Sequence, residues 1–189
     1  KQRGQHRQRR SKSGIPVISL VGYTNAGKSS LLNSLSKTDV FAQDQLFSTL
    51  DPITRRVFLP DGTSVLMTDT VGFIQKLPHG LVAAFRATLE ELDEAAVLLH
   101  VVDISHPNAP EHVEVVEAIL SDLNLTDKPR VLALNKADLL GADAERGQMT
   151  EIGGTKAVLT SVVTGLGLDE LLGTLQAETH AESNSLGAG

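Results

Sequence analysis

Gly22-Tyr23-Thr24-Asn25-Ala26-Gly27-Lys28-Ser29 fits the pattern G-x-x-x-x-G-K-S/T, and its flanks leave few folds open. Ahead of it, Ile15–Gly22 is a β-branched apolar run of the length of a strand buried on both faces. Behind it, Ser29–Lys37 carries Leu31, Leu32 and Leu35 at helical spacing. Strand, glycine loop and helix in that order predict a phosphate cradle. The glycines let backbone amides close around an anion, and the helix start adds its dipole and unpaired N–H groups. Lys28 is expected to neutralise the β- and γ-phosphates and the Ser29 hydroxyl to ligate Mg²⁺. Gly22, Tyr23, Thr24, Asn25, Ala26, Gly27 and Ser30 complete the predicted cradle. A glycine-rich turn after a strand is the bland alternative, and it has no use for this order of elements.

The remaining chain alternates strands and helices. Two short strands, 53–59 and 63–69, flank Pro60-Asp61-Gly62, where proline presets φ and glycine accepts a positive one. That hairpin makes one strand antiparallel. A helix is expected over 81–94, with Leu81, Val82, Phe85, Leu89 and Leu92 on one stripe. Ala95–Asp103 reads as a strand, Pro110–Leu123 as a helix, Val131–Asn135 and 156–160 as strands, and Leu168–Glu178 as the last helix. Gly141, Gly147, Gly153 and Gly154 leave 140–154 room for only a short helix. The pattern predicts one α/β domain over 15–179, a P-loop fold of about six mostly parallel strands with one antiparallel, and five helices on both faces. Residues 180–189 are small and polar and are expected to be disordered.

Charge is needed mainly to exclude partners. The net charge is −6, yet residues 1–13 hold six Lys and Arg and no acid, so 1–14 reads as a basic linker on an acidic body. Such a body is no DNA-coating surface, although the arm can touch an anionic partner. A start at Lys1 without methionine reads as an excised piece of something longer. Absent cysteine excludes disulfides, thiolate catalysis and cysteine–zinc sites, and fits a cytoplasmic address. No run approaches the roughly 18 apolar residues of a membrane span. The apolar stretch after the basic arm leads into the glycine loop, not into a cleavage site, which argues against a signal peptide.

Three further motifs choose the nucleotide. Asn135-Lys136-Ala137-Asp138 follows a strand at the end where open α/β sheets bind ligands. A carboxylate at Asp138 can accept from the ring N–H and exocyclic amine of guanine, an edge adenine lacks. Asn135 is expected to tether this loop and Lys136 to lay its stem along the ring. Ser161-Val162, after the next strand, would offer a backbone N–H to the base oxygen. Asp69-Thr70-Val71-Gly72 places a carboxylate for Mg²⁺ and a glycine N–H for the γ-phosphate, and Thr49 is the second expected Mg²⁺ hydroxyl, with Ser48 as its neighbour. GTP and GDP are therefore the expected ligands. A nucleotide-gated binding module with incidental hydrolysis stays open beside a GTPase, whereas a small-molecule kinase has no role for N-K-x-D.

In this order the motifs are those of a translation-factor-class GTPase. The segments VGYTNAGKSS, LFSTLDPITRR, DTVGFIQKLPHGLVAAFRATLEEL, LLHVVDISHP and LALNKADLL resemble the HflX family of ribosome-associated GTPases, related to the Obg and Era groups. The resemblance runs from about Arg7 to Leu175 and implies slow GTP hydrolysis by a monomer acting on the large ribosomal subunit. It also implies that the basic stretch joins an N-terminal domain to the GTPase domain, where it is either an arm for ribosomal RNA or a solvated linker. Phe73 stands where a switch GTPase usually has its water-orienting glutamine. Related GTPases with N-A-G-K-S hold a monovalent cation on this asparagine, so Asn25 is a candidate K⁺ ligand, although asparagine also suits a tight loop. Lys28, Thr49, Gly72 and Asn25 are thus the expected catalytic set. The loop around Thr49 and Val71–Gly80 is expected to be mobile without a γ-phosphate. His79, His106 and His112 lack metal-ligand spacing, His100 reads as a core or sheet-edge histidine, Glu90, Glu91, Asp93 and Glu94 as a solvated face, and Phe41, Phe47 and Phe58 as packing.

Overall fold

The computed structural model describes residues 14–36, 53–70, 72, 92–141, 149–152 and 154–187. Its strands are β1 (Val17–Val21), β2 (Ile53–Phe58), β3 (Ser64–Asp69), β4 (Val97–Asp103), β5 (Arg130–Asn135), β6 (Met149–Ile152) and β7 (Thr155–Leu159). The α-helices among the described residues are α1 (Lys28–Leu35), α2 (Ala109–Asp122) and α3 (Leu168–Gly187), and a 3₁₀ turn covers Ala137–Leu140. Of the helix expected over 81–94, only Leu92, Asp93 and Glu94 fall among the described residues, the first two as helix and Glu94 as a turn. Residues 1–13, Thr49, Ser48, Val71, Phe73, the rest of 73–91, Phe41 and Phe47 lie outside them.

The strands form one sheet in the order β2-β3-β1-β4-β5-β7-β6. All pairings among β3, β1, β4, β5 and β7 are parallel. Burial on both faces explains why β1 and β4, before its terminal Asp103, are hydrophobic apart from the buried Ser19 and His100. On one face, Leu31, Leu32 and Leu35 of α1 and Leu171 and Leu175 of α3 pack on Ile18, Leu99, Val131 and Val158. On the other, Val116 and Leu120 of α2 pack on Val21 and Leu98. The chain leaves β1 toward β3 and later crosses to β4 on its other side, so the crevice opens at the carboxyl end of β1.

β2 pairs antiparallel with β3 through the expected turn: Gly62 adopts φ +84, and Asp61 Oδ1 accepts from Thr63 N at 2.9 Å. The structure extends one expectation and departs from two. A seventh strand, β6, pairs antiparallel with β7, adding an edge to the six that were expected. The short glycine-containing link between them is a hairpin signal, and Gly154 takes the positive φ (+81) that such a turn needs. α3 continues to Gly187, past its expected end at Glu178, so 180–187 is helix where a disordered tail was expected. Its extension is anchored: Thr179 is buried and donates to Leu175 O at 2.7 Å, His180 Nε2 meets Asp61 Oδ2 at 3.2 Å, and Lys156 pairs with Glu178 at 2.8 Å. Phe58 is 63% exposed on the edge strand β2, with no helix over it among the described residues.

Candidate nucleotide-binding site

Gly22 to Ser29 lies at the carboxyl end of β1 and closes onto α1. Asn25 and Gly27 take φ of +60 and +97, which curl the loop, and the helix is entered with Leu31 N donating to Gly27 O at 2.8 Å. A Cβ on Gly22 would stand 2.3 Å from Val101 O, so only glycine lets the loop sit against β4. Lys28 is buried inside the loop, and its Nζ donates to Gly22 O and Tyr23 O, both at 3.2 Å. Burial lowers its pKa to about 8, and the neighbouring Asp69 carboxylate works against that fall. Thr24, Asn25 and Ala26 form the turn of the loop, and Ser30 is half-buried in the first turn of α1.

Asp69 ends β3 beside this loop, and Ser29 Oγ donates to Asp69 Oδ2 at 2.5 Å. A hydroxyl and a carboxylate converge here, from residues 40 apart in the chain, as hard oxygen donors of the type Mg²⁺ takes. The ion suits them. Thr70 Oγ1 donates to Leu20 O at 2.5 Å and fixes the chain as it leaves β3. Gly72 then lies against the loop: a Cβ there would be 2.9 Å from Thr24 Cα and 3.2 Å from Lys28 Nζ. Asp69, Gly72, Lys28 and Ser29 are therefore brought together as expected.

The base loop is tied to the phosphate loop. Asn135 Nδ2 donates to Ala26 O at 3.1 Å, and a Cβ on Gly27 would meet the same nitrogen at 2.3 Å. Asn135 Oδ1 is buried and has no hydrogen-bond partner among the described residues, so an acceptor stays available. Asp138 is exposed on the 3₁₀ turn, and Ser161 Oγ donates to its Oδ1 at 2.6 Å. Ser161 N donates to Leu166 O at 3.0 Å, and Val162 is half-buried against the core. Lys136 adopts φ +64 and its Nζ meets Asp103 Oδ2 at 2.7 Å. Two partnerships were not anticipated: this ion pair, and Tyr23 stacked on His112 with centroids 3.8 Å apart. Asp103 had a signal, a carboxylate at a parallel strand end in register with Asn135. The stack had none, since it joins residues far apart in the chain. His100, as expected, is a core residue.

The arrangement can hold a polyphosphate on Lys28 and the loop amides, with a planar base carried to the Asp138 side. Comparison with known proteins places it in a family. Residues 17–136 match the family described as "50S ribosome-binding GTPase". The chain is 47% identical over 183 residues to GTPase HflX of Caldanaerobacter subterraneus, covering 97% of the chain and 41% of that protein. The chain belongs to the HflX GTPases. To HflX of Escherichia coli it is 43% identical over 182 residues, covering 96% of the chain and 43% of the relative. It thus spans about two-fifths of the length of these HflX relatives. A solved GTP-binding protein from Sulfolobus solfataricus, in complex with GDP, shares the fold at a TM-score of 0.69 and 24% identity, over 95% of this chain and 57% of that one. Among the described residues of this HflX chain, no helix is long and apolar enough to cross a membrane.

Proposed function

We propose that this chain binds GTP and GDP with Mg²⁺, hydrolyses GTP slowly, and serves in the cytoplasm as the nucleotide switch of a protein acting on the large ribosomal subunit. The observation that carries the reading is the hydrogen bond from Asn135 Nδ2 to Ala26 O, which welds the base loop to the phosphate loop. A single ligand spanning both must carry a base and a phosphate chain. Asp138, held by Ser161, presents its carboxylate to the ring N–H and amine of guanine, and adenine leaves it unpaired. Val162 is the residue for the base oxygen, and the stem of Lys136 covers the ring.

At the phosphates, Lys28 exchanges its two carbonyl partners for phosphate oxygens, and the N–H of Gly72 meets the γ-phosphate. Ser29 and Asp69, with Thr49, would hold Mg²⁺, which when bound offsets phosphate charge. None of these groups activates water, and Phe73 cannot. Unassisted turnover is therefore expected near 10⁻⁴ to 10⁻³ s⁻¹, the order of an isolated switch GTPase. Asn25 is the residue suited to hold K⁺ beside the phosphates, supplying positive charge where other systems use an arginine. Labelled GDP displaced by GTP but not by excess ATP supports the guanine reading; displacement by ATP overturns it. Faster turnover in K⁺ than in Na⁺ at equal ionic strength, with the difference lost in Asn25→Ala, supports the ion; equal rates overturn it. Turnover measured with and without large ribosomal subunits tests the partner.

A further inference from the structure

The connection from Asp103 to His112 joins β4 to the first turn of α2 and touches both nucleotide loops while belonging to neither. At its start, Asp103 divides its carboxylate: Oδ2 accepts from Lys136 Nζ at 2.7 Å, and Oδ1 accepts from Ser105 Oγ at 2.6 Å and Ser105 N at 3.1 Å. The Asp103 side chain is only 14% exposed, so solvent screens the pair weakly. Burial pushes the Asp103 carboxyl up, and the bonds from Lys136 and Ser105 outweigh it, leaving it below its ordinary value. The backbone repeats the tie, with Ile104 N donating to Asn135 O at 3.0 Å. At the far end, the His112 ring lies on Tyr23 at 3.8 Å with an interplanar angle of 5°. His106 backs it at 4.5 Å, and Asn108 N donates to His106 Nδ1 at 3.1 Å. The Tyr23 carbonyl, in turn, is one of the two that hold Lys28 Nζ.

We propose that this connection is a brace for the nucleotide site, with Asp103 and His112 as positioning residues that preform the base loop and the phosphate loop. Lys136 is a non-glycine residue at φ +64, a conformation that persists only where its surroundings enforce it. A flexible lysine stem covers a base reproducibly only if its ammonium is fixed, and Asp103, set by Ser105, fixes it. His112 acts through Tyr23, whose carbonyl sits in the turn that receives the phosphates. The brace rests on the nucleotide reading above, and it adds two residues outside the loop motifs to what sets affinity.

Double-mutant cycles on GDP affinity test both ends, with melting temperature followed in parallel. Asp103→Asn is expected to weaken GDP binding about 5- to 20-fold in the wild-type background and to add nothing to Lys136→Met. His112→Ala is expected to cost about 3- to 10-fold, to be rescued by His112→Phe, and to add nothing to Tyr23→Ala. Unchanged affinity, or losses that multiply in the double variants, overturns the brace at that end, because a purely structural role gives independent effects and no rescue. Should Asp103→Asn fail to fold, Ser105→Ala carries the same cycle, with a loss of about 2- to 5-fold that vanishes beside Lys136→Met. Wild-type protein that does not bind GDP overturns the nucleotide reading itself.

Discussion

Gly22 and Asp138 show how much a single position decides. A methyl group on Gly22 meets a backbone carbonyl of β4, not a side chain that could swing away. Gly22→Ala is therefore expected to cost about 2–4 kcal/mol of stability, read from urea unfolding, besides losing nucleotide binding. Both roles of Gly22 were legible in the sequence only in part: the motif announces a close approach to phosphate, while the approach to Val101 is a fact of packing. Asp138 is the reverse case, since the role proposed for it rests on the chemistry of one side chain. In Asp138→Asn the amide oxygen can keep the Ser161 hydrogen bond, and the amide nitrogen faces the base. Competition binding should show GDP weakened by about 100-fold or more and xanthosine diphosphate strengthened, since xanthine carries an oxygen where guanine has its amine.

Helix α2 is fastened to the sheet by charge as well as by Val116 and Leu120. Glu117, on the helix, meets Arg130 Nη1 at the start of β5 and lies 3.7 Å from His100 Nδ1 on β4. Burial holds the His100 pKa below its ordinary 6.5, and Glu117 opposes that shift without reversing it. Lys28 and Arg130 also disfavour its protonation. The unfolded chain thus binds the proton more tightly than the folded one. Stability is fully present above about pH 6.5 and falls as the pH drops below it. The loss of melting temperature between about pH 7 and pH 5 should be smaller in His100→Gln than in the wild type. Glu117→Ala leaves Arg130, 16% exposed, without this partner, and about 1–2 kcal/mol of stability should go with it, discounted for the 39% exposure of Glu117.

Considered as a molecule, the domain gathers its site from the carboxyl ends of five neighbouring parallel strands, β3, β1, β4, β5 and β7. A nucleotide bound there crosslinks the sheet through loops that otherwise meet at a few hydrogen bonds. Ligand that binds only the folded state adds about 2.7 kcal/mol at a hundredfold excess over its dissociation constant. GDP should therefore raise the melting temperature by about 5–10 °C, the shift expected for a chain of this size. ADP at the same concentration should not, and Asp138→Asn should lose the GDP shift while keeping the melting temperature of the free protein.

The amino-acid sequence by itself determined the phosphate-loop motif, the succession along the chain of the six central and hairpin strands, and the family. The reason is that the G-x-x-x-x-G-K-S, N-K-x-D and D-x-x-G motifs are each contiguous in the chain, and their chemistry travels with their residues. Tertiary structure alone decided what depends on neighbours distant in the chain. It made Phe58 an exposed edge residue, recruited β6 to the far edge, and gave the extended last helix distant partners at His180 and Glu178. It likewise set Lys136 against Asp103, 33 residues apart, through the register of two parallel strands, and laid Tyr23 on His112 where α2 crosses the loop. Strand register and helix placement are set by the summed burial of a whole core, so no short stretch of sequence carries them.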